Sequence, residues 1–153
     1  MPFKPRVIIY TSDRVTSSAG ATYETGNPAV DALVHRAPEV LELADIIGQD
    51  VDGVGAADHD LSDIFDIAEQ IHQDSSDPSV AGIVIIHPDE TLAITAYLLG
   101  TLVKTRKPVV LVDASRRAAR RGDPGYVRLV EAVRLACSGE VEESLMIVKD
   151  EDL

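Results

Sequence analysis

The chain has 153 residues, the usual size of one domain, and 45% of them are hydrophobic, enough apolar surface for a single sizeable core. Twenty-six acidic residues against 14 basic ones give a net charge of −12, which argues against phosphate backbones and anionic membrane surfaces, so neither nucleic acid nor membrane is an expected partner. The lone Cys137 makes neither an internal disulfide nor a multi-thiolate metal site, and no segment approaches the ~20 apolar residues that span a bilayer.

Met1 to Arg6 leads straight into the apolar run Val7 to Tyr10, too short and wrongly flanked for a signal peptide, so a cytoplasmic location is the expectation. Val7 to Thr11 reads as a buried strand that runs into Ser12-Asp13-Arg14 and the small-residue stretch Thr16 to Thr22. A long loop after the first strand of an α/β unit is where ligand sites form. Pro28 suits the first turn of a helix, and Val30, Leu33 and Val34 then share one face. Val40 to Ile47 is apolar-rich and is read as extended. Beyond Val51 to Gly55, the apolar residues Leu61, Ile64, Phe65, Ala68 and Ile71 recur at the helical period, with Asp63, Asp66, Glu69 and Gln70 on a solvated opposite face.

Gly82 to His87 is the clearest buried strand, and Pro88 ends it before a helix from about Glu90 to Val103. That helix is apolar almost all round, which predicts packing between layers or against another subunit. Pro108 to Val112 is a further strand, followed by a basic loop. A helix follows that repeats Tyr126, Leu129, Val130, Val133, Ala136 and Cys137 on one face, and then a last strand, Leu145 to Val148. Strands alternating with helices predict one domain over 1–153, an α/β fold with a single doubly wound, mostly parallel sheet and helices on both faces.

Several local motifs have ordinary readings beside the functional ones. Asp50-Val51-Asp52-Gly53 opens like a calcium loop, but Val54 and Leu61 stand where oxygen ligands are required. Gly53-x-Gly55-x-x-Asp58 lacks the third glycine of a dinucleotide fingerprint. Asp58-His59-Asp60 and His87-Pro88-Asp89-Glu90 are donor types that zinc or manganese accepts, yet carboxylates at strand ends more commonly cap the next helix. Neither a metal nor a cofactor is expected. Arg116-Arg117 and Arg120-Arg121, with Lys104, Arg106 and Lys107 upstream, form a basic patch that suits an anion, or more simply the surplus carboxylates of the same or a neighbouring subunit.

With these pieces in order, the chain from Arg6 to about Lys149 resembles the amino-terminal domain of the bacterial-type L-asparaginase/glutaminase family. The resemblance is strongest from Gly82 to Tyr97 and from Thr105 to Leu111. The family pattern there is an apolar strand, H-G-T-D-T, a helix entering E-T-A-Y, then K-P-V-V; His87, Thr91, Thr95-Ala96-Tyr97 and Lys107-Pro108-Val109-Val110 match it. Ile8-Ile9-Tyr10-Thr11 stands where the family runs into T-G-G-T, whose second threonine is the nucleophile.

The departures fall on the chemistry. The first signature reads Thr11-Ser12-Asp13-Arg14, which puts Arg14 at the nucleophile's place, while Tyr23 stands for the family's supporting tyrosine. Ala56 and Ala57 replace the serine and glutamine that hold the substrate's α-carboxylate, although Asp58 keeps the acid after them. Pro88, Asp89 and Glu90 replace glycine, threonine and aspartate of the second signature. The sequence given stops short of the family's later lysine and of its carboxy-terminal domain, so a stand-alone domain is the expectation.

A guanidinium stays protonated and does not attack a carbonyl. The resemblance therefore implies a non-catalytic module that binds a small polar ligand or regulates a partner, with its site among Thr11, Ser12, Arg14, Tyr23, Asp58, His87, Asp89 and Glu90. The alternative is a divergent enzyme in which Asp89 or Glu90, with Tyr23 as a further candidate, is the catalytic group and Arg14 binds an anion. Arg14 is expected to pair with Asp89 or Glu90 across the old pocket, and a homo-oligomer, most simply a dimer, or a complex with a partner protein is expected to cover the apolar helix.

Overall fold

The computed structural model describes residues 4–11, 28–51, 61–87, 89–113, 124–141 and 145–148. In chain order the elements are β1 (Arg6–Thr11), α1 (Pro28–Arg36), α2 (Val40–Leu43), β2 (Asp45–Asp50), α3 (Leu61–Ser75), β3 (Val80–His87), α4 (Asp89–Leu102), β4 (Val109–Asp113), α5 (Pro124–Ala136) and β5 (Leu145–Val148). The strands form one sheet in the order β2-β1-β3-β4-β5, every pairing parallel. The expected doubly wound α/β fold is therefore present.

The period of two along each strand divides the core between the faces of the sheet. Val7, Ile9, Ile46, Val84, Ile86, Val110, Val112 and Val148 point to a first face and pack with Val30 and Val34 of α1, Val40 of α2, and Leu129, Ala132, Val133 and Ala136 of α5. Ile8, Tyr10, Ile83, Ile85, Val109 and Leu111 point to the second face, against Ile64, Ile67, Ala68 and Ile71 of α3 and Leu92, Ala96 and Leu99 of α4. The central strands are apolar at nearly every position because both faces are covered.

This division fixes the hand of each crossover. From β1 to β2 the chain steps one way along the sheet through α1 and α2 on the first face, then returns across β1 to β3 through α3 on the second face. The step from β3 to β4 continues in that direction with α4 on the second face, so these three crossovers share one hand. The next step, to β5, runs the same way with α5 on the first face, and has the opposite hand. Since about 98% of such crossovers are right-handed, the unit β4-α5-β5 is the left-handed one. A physical reason is visible in the coverage. Helix α4 already covers the second face of β4 and β5, whereas Val84, Ile86, Val110 and Val112 on the first face lie beyond the reach of α1 and α2 and need α5 over them.

Helix α5 approaches the sheet closely. A Cβ on Gly82 would stand 2.3 Å from the carbonyl oxygen of Ala136, so glycine is needed where the end of α5 meets β3. At the far end of the same turn Gly139 has φ 91°, a left-handed conformation that stops the chain from continuing as helix.

Two sequence expectations need correction. Val40 to Ile47 is not one extended segment: the amide groups of Val40, Leu41 and Glu42 bond the carbonyls three residues back, giving the single turn α2, before extended Ala44 leads into β2. Leu61 and Phe65, expected on the buried face of α3, are exposed, because Ile64, Ile67, Ala68 and Ile71 already occupy the arc against the sheet. On α4, apolar almost all round in sequence, Ile94 and Tyr97 face outward.

Candidate functional site

In an open parallel sheet, ligands bind beyond the carboxyl ends of the strands where the strand order reverses. Here the chain leaves β1 towards β2 on one side and returns to β3 on the other, so the reversal lies between β1 and β3. Thr11 ends β1 and His87 ends β3. Tyr10 is level with Ile85, which puts Thr11 level with Ile86 and extends His87 one residue further out.

The two residues share an edge but not a face. Alternation places Thr11 on the side of Ile9, towards α1 and α5, and His87 on the side of Ile85, towards α4. Both are buried. The Thr11 carbonyl accepts a 3.0 Å bond from the Val51 amide, which holds the end of β2 beside it. The His87 Nε2 lies 2.9 Å from Thr91 Oγ1 and 3.0 Å from Thr95 Oγ1, so one ring nitrogen ties the end of β3 to the first two turns of α4. Thr95 is itself fully buried. Its hydroxyl and the imidazole satisfy each other's polar groups in a layer that is otherwise apolar.

The remaining predicted residues fall as follows. Asp89 and Glu90 open α4, next along the chain from the His87 edge, which is the placement their sequence position implied. Ser12, Arg14, Tyr23 and Asp58 lie outside the described residues, as do His59, Pro88 and the Arg116–Arg121 patch, so the expected Arg14 ion pair does too. Among the described residues no group of three or more His, Cys, Asp or Glu is placed to hold a metal ion, and no helix is long and apolar enough to cross a membrane.

Sequence reasoning missed two features of this edge. Thr91 and Thr95 follow His87 at intervals of four, the helical spacing that lets one ring reach both hydroxyls, and that signal was available. Arg128 is buried on α5. Since Ala136 meets the start of β3, and α5 rises about 1.5 Å per residue, Arg128 stands ~12 Å nearer the carboxyl edge, on the face of Thr11. It precedes Ala132 and Ala136 by one and two turns on the packed stripe, a position where an apolar residue is expected.

Other polar groups are structural. Tyr10 donates to the Asp74 carboxylate, which also accepts two 3.2 Å bonds from Gln70, and burial followed by this contact raises the phenol above its ordinary range. A groove of about 470 Å³ lined by Lys4, Arg6, Leu41, Ala44, Asp45 and Ser79 lies at the amino ends of the strands, the edge opposite the reversal point. Arg6 is committed there to Ser79 Oγ at 3.2 Å and Asp45 at 3.6 Å. Ser79 in turn donates its amide and hydroxyl to Asp77, and those two bonds hold that carboxyl below its usual value.

Comparison with known proteins agrees with this architecture. The chain is 33% identical to a glutaminase-asparaginase of Acinetobacter glutaminasificans over 95% of its own length and 46% of the relative's. It is 31% identical to L-asparaginase 2 of Bacillus subtilis over 84% of its length and 35% of the relative's. It is 34% identical to a probable periplasmic L-asparaginase of Haemophilus influenzae over 78% of its length and 34% of the relative's. It thus spans less than half the length of each of these relatives. Residues 7–152 match the family described as "Asparaginase, N-terminal", so this chain belongs to the asparaginase family through its amino-terminal domain.

Proposed function

We propose that this chain is a non-catalytic member of the family, a module that binds a small polar ligand at the carboxyl edge between β1 and β3 or acts on a partner protein there. The observation that carries this reading is Arg14 at the position of the nucleophilic threonine. Amide hydrolysis needs an oxygen that gives up a proton and attacks a carbonyl; a guanidinium does neither. The second signature supports the same conclusion, since Pro88, Asp89 and Glu90 stand in place of its glycine, threonine and aspartate. The contacts of His87 with Thr91 and Thr95 supply a built edge for such a site, without the hydroxyls to which the resemblance assigns the family's chemistry.

Purified protein is expected to release no ammonia from L-asparagine or L-glutamine above buffer in a coupled assay. Arg14→Thr alone is expected to restore nothing, because the nucleophile, the second signature and the residues that hold the α-carboxylate act as a unit. Saturable ammonia release lost in Tyr23→Phe would overturn the reading. Turnover of any amide that disappears in Glu90→Gln would replace it with an enzyme using Asp89 or Glu90 as acid and base and Arg14 as anion binder. Thermal-shift screening against amino acids, amides and nucleotides separates a ligand-binding role from one confined to a protein partner.

A further inference from the structure

We propose that the crevice between α3 and α4 is a docking groove for a basic, amphipathic helix of a partner protein. Four large apolar side chains stand in solvent on these two helices: Leu61 is 65% exposed, Phe65 56%, Ile94 64% and Tyr97 74%. Single exposed apolar residues are ordinary, but a cluster of them marks an interaction surface.

Their convergence follows from how each helix is turned. On α3, Leu61, Phe65 and His72 share one flank, while Gln70 and Asp74 share the other, where Asp74 accepts from Tyr10 of β1 and from Gln70. His72 Nε2 accepts a 2.9 Å bond from the Lys104 amide just beyond α4, so the flank with Leu61 and Phe65 faces α4. On α4, the position of Gly100 faces Leu145 of β5, which turns the opposite flank, with Ile94, Leu98 and Leu102, towards α3. Tyr97 stands outward beside Ile94. The His72 to Lys104 bond closes the crevice at the amino edge of the sheet, and Leu61, Phe65 and Ile94 border its other half, with Tyr97 on the outer surface of α4 beside them.

Charge selects the occupant. From Thr91 to Val103 no residue is charged, whereas the outward face of α3 beside Phe65 carries exposed Asp66 and Glu69. The groove thus has an apolar floor and, on its α3 side, an acidic rim, with Lys104 only at its closed end, on a chain of net charge −12. An amphipathic helix with apolar anchors one turn apart and Lys or Arg along its flank complements both features. A second copy of the chain brings acidic surface to an acidic rim around a desolvated patch, a like-charge arrangement that costs affinity. The surface therefore favours a partner of opposite charge.

The test is an amide-resolved NMR titration with two synthetic helices that share one Leu/Phe face, one carrying lysines on the polar face and the other glutamates. The lysine helix is expected to shift amides around Phe65 and Tyr97, the glutamate helix to leave them unmoved. The double variant Phe65→Ser, Tyr97→Ser, at two exposed positions, is expected to weaken binding by at least about tenfold, as is Asp66→Lys with Glu69→Lys. Shifts spread over other acidic surfaces, equal binding of both helices, or unchanged affinity in the serine variant would overturn the proposal. So would a dimer mass by light scattering that reverts to monomer in the serine variant, since the groove would then hold a second copy. Ammonia release has no bearing on these outcomes, so this inference and the preceding one fail independently.

Discussion

Glycine to alanine is expected to have opposite signs at two positions of this protein. At Gly82 the added Cβ would lie 2.3 Å from the Ala136 carbonyl oxygen and 2.9 Å from both its carbonyl carbon and its Cα. Non-bonded heavy atoms prefer ~3.5 Å or more, so α5 must retreat by roughly 1 Å. The obstacle is backbone, which no rotamer change relieves, and the retreat loosens Val84, Ala132 and Val133 together. Overpacking of this kind costs about 1–3 kcal/mol, partly offset by about 0.4–1 kcal/mol from the less flexible unfolded chain. A net loss of about 1–2 kcal/mol lowers the urea midpoint by roughly 0.5–1 M. At Gly100, exposed on α4, the new Cβ would meet Leu145 Cδ2 at 3.6 Å, an ordinary contact. Removing a helical glycine there is expected to stabilise by up to about 1 kcal/mol. Equilibrium urea unfolding of both variants measures the pair. A Gly82→Ala midpoint equal to or above that of the parent would refute the close approach of α5 to β3.

Other perturbations test the polar groups. Thr95→Val removes one hydroxyl from His87 at nearly constant volume and is expected to cost about 1–2 kcal/mol, with Thr95→Ser recovering most of it; equal stability of Val and Ser variants would show that the contact contributes nothing. Tyr10→Phe leaves the Asp74 carboxylate with Gln70 alone, at a cost of about 1–3 kcal/mol in thermal or urea unfolding. The Tyr10 pKa is raised in the fold, chiefly by burial and then by Asp74, so its contribution is fully present below the unfolded value near 10 and is lost as pH rises above it. Stability should decline there by up to about 1.4 kcal/mol per pH unit on account of this residue, and the decline should be shallower in the Phe variant. Burial likewise raises the Cys137 thiol, so alkylation near pH 8 should be slow until the protein is unfolded; fast reaction of the native chain would contradict the packing of Cys137 beside Leu43.

The existence and order of the elements were legible in the sequence because each has a strong local pattern. Gly82 to His87 is apolar without interruption, as a strand covered on both faces must be, and Pro28 and the stripe Leu129, Val133 and Ala136 marked two helices. The single turn Val40–Leu43 was too short to show a period and was read as extended. At the site, His87, Asp89 and Glu90 were found as residues of a motif. The pairing of His87 with Thr95 depends on how the end of β3 meets α4, which spacing alone does not fix, and Arg128 is hidden in the sequence by the apolar neighbours on its stripe.

By itself, then, the sequence determined most of the strands and helices, that the sheet is covered on both sides, and the family. Only the tertiary structure decided which helix covers which part of each face. That choice reversed the hand of the crossover to β5, brought Ala136 against Gly82, separated Thr11 and His87 onto opposite faces, and left Phe65 and Tyr97 in solvent. Hydrophobic periodicity reports how much apolar surface an element must bury, whereas the place of burial is settled by competition among helices for a limited area of sheet, to which no single segment holds the answer.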